Sequence, residues 1–167
     1  RQRIGVARAV ASNPQLIIAD EPTSALDLSV QAQVLNFMKR IQEEFKLSYL
    51  FISHDLGVVK HMSDNLAIMH KGRFVEQGVK EKVYTNPQHI YTKRLLSAIP
   101  DMDPSVREEH KAERRRVEEV YQKEQTGYYD ENGRVYDLQD FEEGHQVAFN
   151  PDGHRDNPST RFEKGGH

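Results

Sequence analysis

The chain has 167 residues with 23 basic and 26 acidic side chains, a net charge of −3 and 37% hydrophobic residues. It has no cysteine, which excludes a disulfide framework and any thiolate metal site, and a mean hydropathy of −0.78 confines a hydrophobic core to part of the chain. Residues 1–100 carry 13 basic and 9 acidic side chains and residues 101–167 carry 10 and 17, so neither half predicts nucleic acid as the main partner.

A short apolar segment, Leu16 to Ala19, ends in two adjacent carboxylates and a proline, Asp20-Glu21-Pro22. Four small or branched apolar residues are too few for a helix and are typical of a strand that is buried on both faces, as in a parallel sheet. Ligands of open α/β sheets bind just beyond the carboxyl ends of the strands, where two ionised groups need a cation or a reaction. We therefore expect Asp20 and Glu21 to be functional; the alternative is an acid cluster that only caps a helix.

An amphipathic helix and a second strand follow. Apolar residues recur at spacings of three and four from Ser29 to Phe45, which predicts a helix that covers one face of the sheet. The next apolar run, Tyr49 to Ile52, leads to His54, and Asp55 is suited to cap a shorter helix. Two neighbouring strands would then place His54 and the two acids along one edge of a sheet.

This order and spacing of motifs resembles the ATPase subunit of ABC transporters. Leu16 to Glu21 corresponds to the Walker B strand with its catalytic glutamate, and His54 corresponds to the switch histidine. The segment Arg1 to Ala9 looks like the helix that follows the family's signature loop. The D-loop corresponds to Ser24, Ala25, Leu26 and Asp27. The resemblance implies an α/β fold, the C-terminal part of a P-loop NTPase domain with mostly parallel core strands, followed by a helical extension and a charged tail.

The resemblance also implies a chemistry. Hydrolysis of ATP needs a divalent cation against the phosphate charge, a group that orients the attacking water and contacts to the γ-phosphate. Asp20 would bind Mg²⁺ through water, Glu21 would orient the attacking water, and His54 would donate a hydrogen bond to the γ-phosphate. In the family, two such domains enclose two ATP molecules, and the D-loop lies at the seam between them.

The sequence contains no G-x-x-x-x-G-K-[ST] phosphate loop and starts at Arg1 rather than Met. We therefore expect a fragment that is inactive by itself, with the phosphate loop and the signature loop upstream. Two other interpretations stay open. One is a non-catalytic regulatory or interaction fragment with the same fold, and the other is an ABC-type ATPase of DNA repair or chromosome organisation.

The segment after His54 predicts a hairpin and two short helices. Asn65 to His70 and Arg73 to Gln77 flank Lys71-Gly72, which suits a tight turn between antiparallel strands. Helices are expected from Lys80 to Tyr84 and from Tyr91 to Ile99.

The segment Asn86 to Pro100 resembles the C-terminal extension of oligopeptide and dipeptide importer ATPases, except that Ile90 stands where that family usually has proline. This resemblance implies transported peptides, with nickel or other small solutes as less common substrates of the same subfamily. It implies as partners transmembrane permease subunits, a second ATPase subunit in a homo- or heterodimer, and a solute-binding protein that delivers the peptide, with no nucleic acid. The resemblance also implies a peripheral subunit at the cytoplasmic face of the cell membrane. Because the sequence has no run of about 18 apolar residues, we expect any membrane association to be through a partner.

The remaining residues are acidic and poor in apolar side chains. Val106 to Gln125 predicts an exposed helix with charge pairs four residues apart, and Asn132-Gly133 predicts a hairpin turn between tyrosine-containing arms. Residues from Asn150 onward are expected to be mobile. The predicted domains are the C-terminal part of the ATPase domain, 1–79, the importer-type extension, 80–105, and a charged tail attached through few contacts, 106–167.

Overall fold

The computed structural model describes residues 2–99, 107–123 and 125–151, which form two compact units: one ends at Ser63 and the other begins at Asp64. Each unit has its own sheet. Within the described ranges, no helix has the length and apolar character that crossing a membrane requires. The predicted domain boundary at residue 79 falls inside the second unit.

The first unit is an α/β unit built on one parallel pair of strands. Its elements are α1 (Gln2–Val10), β1 (Leu16–Asp20), α2 (Leu28–Phe45), β2 (Ser48–Ile52) and α3 (Leu56–Met62). The pairing runs from Leu16 opposite Ser48 to Asp20 opposite Ile52, so the two carboxyl ends lie side by side. This order confirms the two strands and the three helices that the sequence predicts.

The core of this unit lies between the strand pair and α2. Ala19, Val34 and Met38 are buried there, and Tyr49 and Phe51 of β2 pack against them. Tyr49 and Phe51 are two positions apart on β2, and Val34 and Met38 are four positions apart on α2. The strand pair and the helix therefore each direct one apolar face toward the shared core. Burial of this shared apolar surface stabilises the unit by roughly 25 cal/mol per Å² removed from water.

One face of the strand pair is open in the described chain. Leu16 and Ile18 of β1 are 54% and 64% exposed, and Leu50 and Ile52 of β2 are 51% and 45% exposed. The prediction that the first strand is buried on both faces is therefore wrong for these residues, because α2 packs on the opposite face. The buried stripe of α2 is also shorter than predicted, since its last residue, Phe45, is exposed.

The second unit contains a four-stranded antiparallel sheet in the order β3-β4-β6-β5. β3 (Asn65–His70) and β4 (Arg73–Val79) form the predicted hairpin, and the turn residues Lys71 and Gly72 have φ values of 50° and 77°, as a type I′ turn requires. The other elements are α4 (Lys80–Thr85), α5 (Ile90–Ser97), α6 (Arg107–Lys123), a 3-10 helix (Gln125–Gly127), β5 (Leu138–Glu142) and β6 (His145–Ala148).

The acidic C-terminal segment contributes two of these four strands. β6 pairs with β4 on one side, with Glu76 opposite Val147, and with β5 on the other. A Cβ atom on Gly78 would lie 2.5 Å from the carbonyl oxygen of Gly144, so only glycine fits where the β5–β6 turn crosses β4. The expectation of few contacts is therefore wrong for β5 and β6. Residues 152–167, which the sequence predicts to be mobile, lie outside the described residues.

The helix α6 is charged, as predicted, but it is only partly exposed. Val117 and Tyr121 are buried, and the Arg94 guanidinium of α5 lies 4.5 Å from the centre of the Tyr121 ring. Arg94 Nε also lies 2.8 Å from a carboxylate oxygen of Glu118. These contacts hold α6 against α5, which the charge pattern alone does not reveal.

The predicted turn at Asn132-Gly133 is present in a shorter form than a hairpin of two strands. Tyr129 and Val135 form an isolated antiparallel bridge around it. The side chain of Asp130 closes the turn by accepting hydrogen bonds from the backbone of Asn132 at 2.9 Å and of Arg134 at 2.8 Å.

Candidate active site

The predicted site residues lie at the carboxyl ends of β1 and β2. Asp20 is the last residue of β1, Glu21 follows it, and His54 lies two positions beyond the end of β2. The backbone N–H of Glu21 donates to the carbonyl oxygen of Ile52 at 2.9 Å, which extends the parallel pairing by one residue. The register therefore brings the two acids and the histidine to the same edge of the sheet.

The carboxylate of Glu21 binds His54 through two groups at once. Oε1 of Glu21 accepts a hydrogen bond from the His54 backbone N–H at 3.1 Å and lies 2.8 Å from Nδ1 of its ring. Because a carboxylate only accepts, Nδ1 carries the proton in this contact. The hydrogen bond and the charge of Glu21 raise the pKa of His54 above its ordinary value. The His54 side chain is 78% exposed and that of Glu21 is 35% exposed, so the pair faces solvent.

Glu21 has a left-handed backbone conformation, with φ of 46°. Residues other than glycine adopt positive φ infrequently, and such strain is concentrated at functional sites. The carbonyl oxygen of Glu21 accepts hydrogen bonds from the backbone N–H and the hydroxyl of Ser24 at 3.3 and 3.1 Å, which fold the chain into a tight turn. The turn lets the carboxylate leave the strand direction and reach His54.

The predicted D-loop forms this turn and the start of α2. Ser24 and Ala25 are exposed, whereas Leu26 is half-buried against the core. Asp27 caps α2, since its Oδ1 accepts hydrogen bonds from the Ser29 hydroxyl at 2.7 Å and from the Val30 N–H at 3.0 Å. These hydrogen bonds lower the pKa of Asp27. The D-loop is therefore anchored at both ends and presents its small residues to solvent.

The exposed carboxylate of Asp20 suits a magnesium ion that also binds phosphate. Mg²⁺ in nucleotide sites takes one or two carboxylates and completes its shell with phosphate oxygens and water. Over residues 2–99, 107–123 and 125–151, no group of three or more histidine, aspartate or glutamate side chains is arranged to hold a metal ion.

Ser53 and Asp55, the two neighbours of His54, accept hydrogen bonds from backbone N–H groups and do not form a nucleophilic triad with it. Ser53 Oγ accepts a hydrogen bond from the Asp55 N–H at 3.0 Å, and the Asp55 carboxylate caps α3, as the sequence predicts. Gln31 of α2, which was not predicted from the sequence, also contacts Asp55: its amide nitrogen lies 3.4 Å from Oδ2 of Asp55. No local pattern marks Gln31, because its partner is 24 positions away.

A second acid and histidine pair lies in the other unit and was not predicted. Glu76 of β4 and His145 of β6 are both fully buried, and Nε2 of His145 lies 2.6 Å from Oε1 of Glu76. The same carboxylate accepts hydrogen bonds from the backbone N–H groups of Gln88 and His89, both at 2.9 Å. The signal in the sequence that could have revealed this pair is a single acidic residue, Glu76, next to the apolar residues of β4. Its burial marks it as a structural anchor of α5.

The surroundings of His145 favour the charged form of its imidazole. Burial lowers its pKa, but the hydrogen bonds and charges of Glu76 and Glu142 outweigh burial and raise it. His89 behaves in the opposite way, because burial lowers its pKa to about 3. Its neutral ring accepts a hydrogen bond at Nδ1 from the N–H of Tyr91 at 3.1 Å and so caps α5.

Comparisons with known proteins agree with the predicted family. Residues 75–144 match the family model of the oligopeptide/dipeptide transporter C-terminal region. An oligopeptide transport ATP-binding protein, OppF of Lactococcus lactis subsp. lactis, is 57% identical over 148 residues, which are 89% of this chain and 46% of that protein. The dipeptide transport ATP-binding protein DppF of Haemophilus influenzae is 54% identical over 109 residues, 65% of this chain and 33% of that protein.

The chain spans less than half the length of these curated relatives. Among solved structures, the ADP conformation of MJ1267, an ATP-binding cassette of an ABC transporter, gives a TM-score of 0.45 at 23% identity and covers 55% of this chain and 37% of that one. The sequence identities and the matched C-terminal region show that this chain belongs to the oligopeptide and dipeptide transport ATP-binding proteins of the ABC transporter family and corresponds to their C-terminal part.

Proposed function

We propose that this chain carries residues that hydrolyse ATP, at the carboxyl ends of β1 and β2, in an ATPase subunit that energises peptide import. The observation that carries the proposal is the contact of Glu21 Oε1 with both the N–H and Nδ1 of His54 at the ends of two parallel strands. An acid and a histidine in this arrangement join a group that orients water to a group that contacts phosphate. The names of the relatives, which are transport ATP-binding proteins, support the same activity.

Glu21 orients the attacking water in this proposal. Within the described residues, its Oε1 takes both contacts from His54 and its Oε2 makes no hydrogen bond. Oε2 is therefore the oxygen left to accept a proton from water. The half-exposed carboxylate is held at Oε1 and open at Oε2, as a positioned general base requires.

His54 contacts the γ-phosphate in its charged form. Its Nδ1 proton is used by Glu21, so donation to a phosphate oxygen must come from Nε2, which carries a proton only in the imidazolium. The raised pKa of His54 favours that form. An imidazolium held by Glu21 would bind the phosphate more strongly as negative charge develops in the transition state.

The other predicted residues complete the site. Asp20 would bind Mg²⁺ through water, and the ion supplies neutralisation of phosphate charge when the nucleotide is bound. Ser24, Ala25, Leu26 and Asp27 would lie at the seam with a second ATPase subunit. Residues 1–79 would belong to the ATPase domain, and the importer-type extension predicted over 80–105 would continue into the segment 106–167, whose strand β6 pairs with β4.

The family supports a proposal for the transported substrate and the partners. Residues 75–144 match an oligopeptide/dipeptide transporter region, which supports peptides as the transported substrate. We infer that the complete subunit binds transmembrane permease subunits at the cytoplasmic face of the membrane, pairs with a second ATPase subunit and acts on peptide delivered by a solute-binding protein.

The test is ATP turnover by the complete subunit assembled with its permease. Glu21→Gln keeps the size of the side chain but removes the base, so we expect kcat to fall by about 10²-fold or more with ATP affinity within a few-fold of the parent. His54→Ala should also lower kcat more than affinity. Glu43→Gln, an exposed acid of α2, is the matched control and should leave turnover unchanged. Near-normal turnover of Glu21→Gln and His54→Ala would refute the assignment.

A further inference from the structure

The side chain of His54 is too exposed to be positioned by packing. It is 78% exposed, and its contact with Glu21 is made through Nδ1 and through the backbone N–H of the same residue. Both contacts therefore depend on where the backbone at residue 54 lies. The groups that fix this backbone decide whether the histidine meets the acid.

The carboxylate of Asp55 fixes the backbone immediately after His54. Oδ1 of Asp55 accepts hydrogen bonds from the N–H groups of Gly57 at 2.9 Å and Val58 at 3.2 Å, which cap α3. Its backbone has φ of −88° and ψ of 102°, an extended conformation that differs from the helix it starts. The cap therefore ties the chain at residue 55 to the first turn of α3.

Two further contacts act on the same residue from other sides. The N–H of Asp55 donates to Ser53 Oγ at 3.0 Å, across His54, and Oδ2 of Asp55 lies 3.4 Å from the Gln31 amide of α2. A Cβ atom on Gly57 would lie 3.2 Å from Oδ1 of Asp55. The missing side chain at Gly57 therefore leaves room for the Asp55 carboxylate at the start of α3. Ser53 and Asp55, on either side of His54, are thus hydrogen-bonded to each other, and this hydrogen bond does not involve the His54 ring.

We propose that Asp55 is a positioning residue for His54: by capping α3 and bonding back to residue 53, it holds the His54 backbone where both its N–H and its ring reach one oxygen of Glu21. The catalytic meaning of this role depends on the proposed function, but the positioning itself is a property of this chain. Asp55 acts through its hydrogen bonds, so an uncharged residue that caps equally well should replace it.

The experiment is nuclear magnetic resonance on the 167-residue chain, with two readouts. The exchange rate of the His54 amide proton reports its hydrogen bond to Glu21, and the titration of the His54 ring reports the Nδ1 contact. The charged groups that act on this ring are Glu21 and Asp55 itself. Loss of the Asp55 charge alone lowers the pKa of His54 equally in Asp55→Asn and Asp55→Ala, so only a larger change in Asp55→Ala reports the Nδ1 contact. A role of Asp55 in stability alone would speed exchange of the His54 amide no more than exchange of the other protected amides of the same unit.

Asp55→Ala should speed exchange of the His54 amide by about tenfold or more and return the ring titration toward that of an ordinary histidine. Asp55→Asn keeps the capping oxygen and should stay within about threefold of the parent in exchange. Asp27→Ala, which removes the cap of α2 in the same unit, is the matched control and should leave His54 unchanged. If Asp55→Ala does not fold, Asp55→Asn and Asp55→Ser give the comparison, because both keep a cap.

Unchanged His54 readouts in folded Asp55→Ala would overturn the proposal, and so would loss of His54 protection in Asp55→Asn or Asp55→Ser. In the complete subunit, Asp55→Ala should lower kcat with little change in KM, and Asp55→Asn should restore it. Failure of the proposed function is recognised separately, because it would appear as normal turnover of Glu21→Gln while the resonance results on this chain still hold.

Discussion

The buried pair of Glu76 and His145 allows a stability prediction with a magnitude. Glu76 is fully buried and accepts three hydrogen bonds, from His145 Nε2 and from the backbone N–H groups of Gln88 and His89. Glu76→Gln preserves the volume of the side chain but leaves one acceptor atom where the carboxylate had two. The three donors can then no longer all be satisfied, and His145 loses the carboxylate that raises its pKa.

The expected loss follows from these contacts. Removing one partner of a buried ion pair costs about 3–5 kcal/mol, and a buried donor left without an acceptor costs about 1–3 kcal/mol. His145 can reduce the loss by releasing its proton, so we expect Glu76→Gln to lower the free energy of unfolding of the second unit by about 3 kcal/mol. A domain of this size has about 5–15 kcal/mol in total, so the change is large.

Urea unfolding followed by tyrosine fluorescence measures this loss. The chain has no tryptophan, and every tyrosine except Tyr49 belongs to the second unit, so the signal reports that unit. Glu142→Gln is the matched control, because Glu142 contacts the other nitrogen of His145 at 3.5 Å but is itself exposed. It should cost less than about 1 kcal/mol. Equal losses in the two variants, or a loss in Glu76→Gln below about 1 kcal/mol, would refute the reasoning.

The same pair sets a pH dependence with a definite sign. The pKa of His145 is raised in the folded chain, so its contribution to stability is complete below its unfolded value of about 6.5 and is lost as pH rises through the folded value. We therefore expect the parent chain to lose stability as pH rises above about 6.5, until it passes the folded pKa of His145. In Glu76→Gln this loss should be smaller. A parent stability that rises over that range would contradict the assignment of His145.

Three further predictions concern other parts of the chain. Calorimetry should detect no Mg-ATP binding to the 167-residue chain, which contains no phosphate loop, and micromolar affinity would contradict this. In the complete subunit, kcat should fall as pH rises through the raised pKa of His54, whereas a profile flat from about pH 6 to about pH 9 would show that the imidazolium is not needed. Gly78→Ala should cost about 2 kcal/mol in urea unfolding of the second unit, because its Cβ would meet the backbone of Gly144. Gly5→Ala, at an open position of α1 in the first unit, should not lower the stability of that unit.

Local features of the fold follow from the sequence because their partners are near in the chain. Asp55 caps α3 through groups two and three positions away, and Lys71-Gly72 closes β3 on β4 with backbone angles that the two residues themselves favour. The strand ending in Asp20 and the strand preceding His54 are likewise visible as short apolar runs. Knowing that such strands pair in parallel is enough to place Glu21 and His54 on one edge.

The tertiary structure decided what depends on distant partners. Glu76 and His145 are 69 positions apart, and no periodicity in the tail marks β6 as the neighbour of β4. The face of β1 and β2 that bears Ile18 and Leu50 reads as buried in sequence, since an apolar run has the same composition whether one face or two are covered. Charge predicted α6 as a surface helix, and only its packing on α5 shows that Tyr121 is buried. The sequence by itself determined the local conformations and the family, because these rest on residue types at short spacings. Three-dimensional packing alone decided strand order, burial and the buried ion pair, because their energies come from contacts that close long loops.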